Sequence, residues 1–166
     1  MNKNLTCGSI AVMLMLGAGS AAAGGSEGTI GVGAEATLSG LGGMSLNYDA
    51  GTFHAGGFLS FADSEGDNNT DIGIGGRFFW HIHSTAQSDF SIGGNLGVLF
   101  DNEDDGGDGT SNTLLFLEPA VQLRAFISGN VALSATAGIS VGLVDAGGVV
   151  LTGDLNGSAG LHYYFF

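Results

Sequence analysis

The chain has 166 residues, room for one hydrophobic unit and not comfortably for two. Its formal net charge is −13, from 16 Asp and Glu against 3 Lys and Arg, which excludes nucleic acid as a partner for want of a basic surface. With 44% hydrophobic and 11% charged residues it is not a disordered acidic chain, and 32 glycines without a three-residue period, beside a single proline, exclude collagen.

Residues 1–23, MNKNLTCGSIAVMLMLGAGSAAA, join Lys3, an apolar run from Ile10 to Leu16 and the small residues Ala21, Ala22 and Ala23. That is the pattern of a cleaved secretory signal, and the apolar run is well short of the roughly 20 residues of a bilayer helix. Cys7 lies inside this segment, so the expected mature domain, 24–166, has no cysteine and no disulfide chemistry. Loss of Lys3 takes the formal charge from −13 to −14 and leaves Arg77 and Arg124 as the permanent cations.

From Gly28 onward the apolar residues alternate, the period of half-buried strands. The first strand carries Ile30, Val32, Ala34, Ala36 and Leu38 on one face; the second, Met44, Leu46 and Tyr48; the third, Phe53, Ala55, Leu59 and Phe61. A fourth has Ile72, Ile74, Phe78, Trp80 and Ile82, and a fifth Phe90, Ile92, Leu96, Val98 and Phe100. The sixth offers Leu115, Leu117, Val121, Leu123, Ala125 and Ile127, the seventh the odd positions from Val131 to Leu143, and the eighth those from Leu151 to Phe165. Pro119 stands in the apolar row of the sixth strand, where it donates no ladder hydrogen bond, and a bulge is expected there.

The connections alternate in kind. DAG (49–51), STAQS (84–88) and SGN (128–130) are short; DSEGDNNTD (63–71) and DNEDDGGDGTSN (101–112) are long, acidic and on the opposite side of an up-and-down meander. That asymmetry belongs to transmembrane β-barrels. Alternation alone also fits a soluble secreted β-sandwich, whose apolar faces turn inward. Two features decide between them. The polar face is small and nearly uncharged, with Glu35, Arg77, Glu118 and Arg124 in mid-strand, as in the packed interior of a narrow barrel. Aromatics on the apolar face (Tyr48, Phe53, Trp80, Phe90, Tyr163 and Phe165 near the short turns, Phe61 and Phe100 near the long loops) approximate two interfacial girdles, with Phe78 set deeper. The expectation is an all-β, eight-stranded, antiparallel up-and-down transmembrane barrel with strands of about 9–11 residues.

The signal, the eight strands, the acidic long loops and the final GLHYYFF resemble the small outer-membrane β-barrels of Gram-negative bacteria, the OmpA-transmembrane-domain and OmpX-like group. The resemblance implies an outer-membrane location, contact with membrane lipid and lipopolysaccharide, and a last strand recognised by the barrel-assembly machinery. Leu161, Tyr163 and Phe165 match that terminal pattern, and Phe166 is one residue beyond it.

Candidate chemistry is sparse. His54, His81, His83 and His162 share the parity of the lumenal face and the short-turn end, and His54, His81 and His83 form a candidate metal site, weighed against plain interior hydrogen bonding. A hydrolase built on His81 and Ser84 lacks an evident orienting carboxylate. Asp101, Glu103 and Asp105 in DNEDDG partly mimic a calcium loop, but the twelfth position is Asn112. Glu35, Glu118, Arg77 and Arg124 are expected to neutralise one another as lumenal ion pairs. The functional expectation is a monomeric, non-enzymatic barrel without cofactor, in a structural or surface-interaction role. A narrow solute channel through glycine-lined space is the first alternative, and a lipid-modifying enzyme the second.

Overall fold

A computed structural model describes residues 27–63, 70–103, 110–144 and 153–165; the expected signal at 1–23 and Phe166 lie outside them. Eight strands follow in order: β1 (Thr29–Thr37), β2 (Gly42–Asp49), β3 (Phe53–Asp63), β4 (Thr70–Ser84), β5 (Ser88–Glu103), β6 (Thr110–Ser128), β7 (Val131–Val144) and β8 (Gly153–Phe165). Each pairs antiparallel with its neighbour, and β8 returns to β1 with Ile30 opposite Phe165, Val32 opposite Tyr163 and Ala34 opposite Leu161. The sheet is closed, so neither terminal strand has a free edge.

The faces follow the predicted parity, with the apolar row outward. Ile30, Leu46, Ile74, Leu96, Val121 and Leu161 are all exposed, whereas Ser45, Asn47, Ser91, Gln122, Thr136 and His162 are buried. An interior of polar side chains behind an exterior of aliphatic ones is the reverse of a soluble barrel. Phe78, deeper than the other aromatics, packs on Phe53 at 5.2 Å between ring centres, and Phe53 stacks on Trp80 at 6.2 Å. One aromatic plate thus joins β3 to β4 near the short turns.

Strand length departs from expectation: β2 has 8 residues, β5 has 16 and β6 has 19. The excess lies at the long-loop ends, where β6 opens on the polar Thr110, Ser111, Asn112 and Thr113 and still pairs with β5. A ladder needs a partner strand and not a membrane, so it runs past the apolar belt.

Pro119 makes no bulge. Leu117 faces Val141 and Ala120 faces Gly138 in one register, with the ladder to β7 interrupted between them, so parity holds and Glu118 and Arg124 both point inward. The bulges fall at His81/His83, Leu115/Phe116 and Phe126/Ser128.

Lumenal glycines make room for large neighbours. A Cβ at Gly31 would lie 2.7 Å from the Tyr164 ring, and one at Gly97 would lie 2.9 Å from Phe116. Much of the space that glycine opens is therefore filled from the next strand.

Candidate functional site

The short-turn half of the lumen is built around Arg124. It stands on the inward face of β6, directly opposite Asp89 of β5, and is 1% exposed. Its Nη2 donates to Asp49 Oδ2 at 2.7 Å and Asp89 Oδ2 at 2.6 Å and lies 3.0 Å from His81 Nε2; its Nη1 donates to the Tyr164 hydroxyl at 2.9 Å. The guanidinium also lies 5.4 Å from the Phe126 ring centre and 5.9 Å from that of Tyr164. Four strands, β2, β4, β5 and β8, thus converge on a cation from β6.

The tautomer of His81 follows from its partners. Its Nδ1, 2.8 Å from the Gly51 carbonyl, donates to it, so the single lone pair of Nε2 faces His54 Nδ1, 2.9 Å away, while Arg124 Nη2, whose two hydrogens go to Asp49 and Asp89, is a neighbour at 3.0 Å. His54 is fully buried and stacks on Phe79 at 5.3 Å. With Phe79, Ala132 and Tyr164 also at 0% exposure, side chains fill this end of the barrel.

Higher in the lumen, Arg77 of β4 reaches across to Glu35 of β1. The pair is bidentate, Nη1 on Oε1 and Nη2 on Oε2 at 2.7 Å. Ser45 donates to Glu35 Oε1 at 2.9 Å, and His162 Nε2 lies 2.6 Å from the Ser45 hydroxyl and 3.0 Å from the same carboxylate oxygen. Glu118 of β6 is level with Asn95 of β5 and accepts from two amides, Asn95 Nδ2 at 2.7 Å and Asn156 Nδ2 at 2.8 Å. Above these groups is a cavity of about 410 Å³ in the long-loop half, walled by Phe58, Leu99, Leu114, Phe116, Ser60 and Ser140 with Glu35, Arg77 and Glu118 at its polar end.

Several sequence expectations need correction. Of the four expected ion-pairing residues one pair forms, Arg77 with Glu35, whereas Arg124 takes Asp49 and Asp89, and Glu118 has amides instead of a cation. Glu118 and Arg124 are six residues apart on one strand, on the order of 20 Å, too far to meet. His83 does not join the lumenal histidines, because the bulge at His81/His83 places it opposite the outward Phe90, where it is exposed. A carboxylate beside His81 does exist, in Asp49 and Asp89, and ligand atoms of these three lie within 4.8 Å of one another. Arg124 Nη2 is within hydrogen-bonding distance of all three, so the guanidinium occupies the place that a cation would take. Ser84, the hydroxyl weighed for a hydrolase and set aside, is exposed.

Asp101 and Glu103 lie in β5, opposite Asn112 and Thr110, whereas Asp105 is outside the described residues. Asp49, Asp89 and Tyr164 escaped the sequence reading because the first two adjoin turns and the third sits in the aromatic tail. Their parity was the available signal: Asp49 continues Ser45 and Asn47, Asp89 precedes Ser91, and Tyr164 follows His162.

No family model matches the sequence, and no curated protein matches it. Among solved structures, the N-terminal β-barrel domain of Pseudomonas aeruginosa OprF is similar at a TM-score of 0.59 and 11% identity, over 84% of this chain and 98% of that one. Neisserial surface protein A, NspA, is similar at a TM-score of 0.57 and 14% identity, over 82% of this chain and 95% of that one. Identity this low speaks for a shared fold, the closed eight-stranded barrel.

Proposed function

We propose that the protein is an integral outer-membrane β-barrel of a Gram-negative bacterium, non-enzymatic and non-conducting, with a structural or surface-interaction role. The observation that carries this reading is the outward apolar belt. Residues such as Leu46 (53% exposed), Ile74 (53%), Ile82 (59%) and Ile139 (54%) cover the outside of a barrel whose buried residues are mostly polar. In water such a surface far exceeds what a monomer tolerates. In lipid it is the favoured exterior, because the closed barrel presents no open sheet edge to the hydrocarbon.

The likeness to the OprF domain and to NspA in fold supports the membrane assignment. Absence of catalysis is supported by His81, whose ring nitrogens face Gly51, His54 and Arg124, leaving no base poised on a nucleophile. A closed lumen is supported by the filled half around Arg124. Fractionation of a producing Gram-negative cell, read on a heat-modifiability gel, tests the reading: a band in the outer-membrane fraction whose migration changes on boiling is expected. Extraction without detergent would refute it, and discrete conductance steps in planar bilayers would refute the closed lumen.

A further inference from the structure

We propose that the cavity in the long-loop half of the lumen binds a small organic ammonium compound, its cationic head held between the Glu118 carboxylate and the ring of Phe116. Charge is the first argument. Glu118 is 5% exposed and lines the cavity, and its two oxygens each accept one amide N–H, from Asn95 and Asn156. Neutral donors satisfy hydrogen bonding but leave the unit charge uncompensated, which is costly in a narrow interior.

The chain holds no cation to supply. Its three Lys and Arg are Lys3, in the expected signal, Arg77, taken bidentately by Glu35, and Arg124, taken by Asp49 and Asp89 at the other end of the barrel. None of the long connections contains Lys, Arg or His. His162 is engaged by Ser45 and Glu35, His54 and His81 lie beside Arg124, and His83 is outside. A cation that pairs directly with Glu118 would therefore come from solution.

The walls indicate what kind of cation. Phe116, two residues before Glu118 on the inward face of β6, also lines the cavity, with its ring 6.4 Å from that of Phe58. The Phe58 ring already carries the Arg77 guanidinium at 5.2 Å, so Phe116 is the aromatic left for a ligand. A carboxylate beside an aromatic ring is the pairing that recognises ammonium groups. Leu99 and Leu114 add apolar wall, and a volume of about 410 Å³ suits a compound with a small hydrocarbon body. A hard metal ion would want several converging oxygens, whereas the amides present nitrogen to Glu118.

The mature chain, refolded in detergent micelles, is titrated calorimetrically with benzylammonium chloride, and with benzyl alcohol as the neutral analogue. One saturable site per barrel is expected for the ammonium compound and none for the alcohol. Glu118→Gln should weaken binding by about tenfold or more, and Phe116→Leu by roughly threefold. No saturable heat up to about 10 mM, equal binding of the alcohol, or unchanged affinity in Glu118→Gln would overturn the proposal. Displacement by equimolar calcium chloride would overturn it too, in favour of a hard-cation site. A heat-modifiability gel confirms folding of each variant, and should Glu118→Gln not fold, Phe116→Leu and the alcohol comparison still decide. The measurement needs only the folded barrel in micelles, so its failure leaves the outer-membrane reading standing.

Discussion

Replacing Arg124 by methionine should be the most damaging single change in the barrel. Methionine keeps much of the side-chain volume but strands Asp49, which is fully buried, and Asp89, which is 6% exposed. Removing one partner of a buried ion pair costs about 3–5 kcal/mol, since the remaining charge has no water to return to. Loss of the bond to the Tyr164 hydroxyl adds about 1 kcal/mol. Set against a stability on the order of 5–15 kcal/mol for a folded domain, the change removes a large share of it. The single tryptophan, Trp80, lies on the outer face and serves as the probe: urea titrations in lipid vesicles follow its emission as the barrel leaves the bilayer. The decisive comparison is with the triple variant Arg124→Met, Asp49→Asn, Asp89→Asn, in which no charge is stranded. It should recover most of the loss, because exchanging a whole buried ion cluster for neutral groups is often close to neutral. A single variant within about 1 kcal/mol of wild type, or a triple variant no better than the single one, would refute the reasoning.

Other perturbations probe the two faces of the wall. Ile74→Arg places a cation on the lipid face and should cost about 2–4 kcal/mol near the mid-plane in the same titration; a cost near zero would show that this face does not meet hydrocarbon. Gly93→Ala sets a methyl group 2.7 Å from the Phe79 Cα and should destabilise by about 1–3 kcal/mol. Gly76→Ala, whose nearest neighbour is the Gly56 carbonyl at 3.6 Å, should be tolerated in the same assay, and equal losses at the two glycines would contradict the packing described.

Parity carried most of the fold from the sequence, because alternation in a strand is a backbone property and each outward row is long enough to reveal it. The closed topology also followed, with Ile30 meeting Phe165 at the seam. The partners inside the lumen did not follow, since parity reports which face a side chain occupies but not its depth along the barrel axis. Arg77 reaches Glu35 across the interior from β4 to β1, and Arg124 gathers groups from β2, β4, β5 and β8. Those encounters depend on the stagger of every intervening strand. His83 failed for a different reason: one bulged residue reverses the face of everything after it, and HIHS carries no glycine to announce the bulge.

The seam between β1 and β8 also bears on how the chain folds. Every other ladder joins strands adjacent in sequence and can zip from its own turn, but this one waits for residues near opposite ends to meet. Until Tyr163 and Phe165 arrive, β1 and β7 present two unsatisfied edges, each competent to capture a strand from another molecule. The last strand is therefore the step that converts a sticky open sheet into a self-sufficient cylinder.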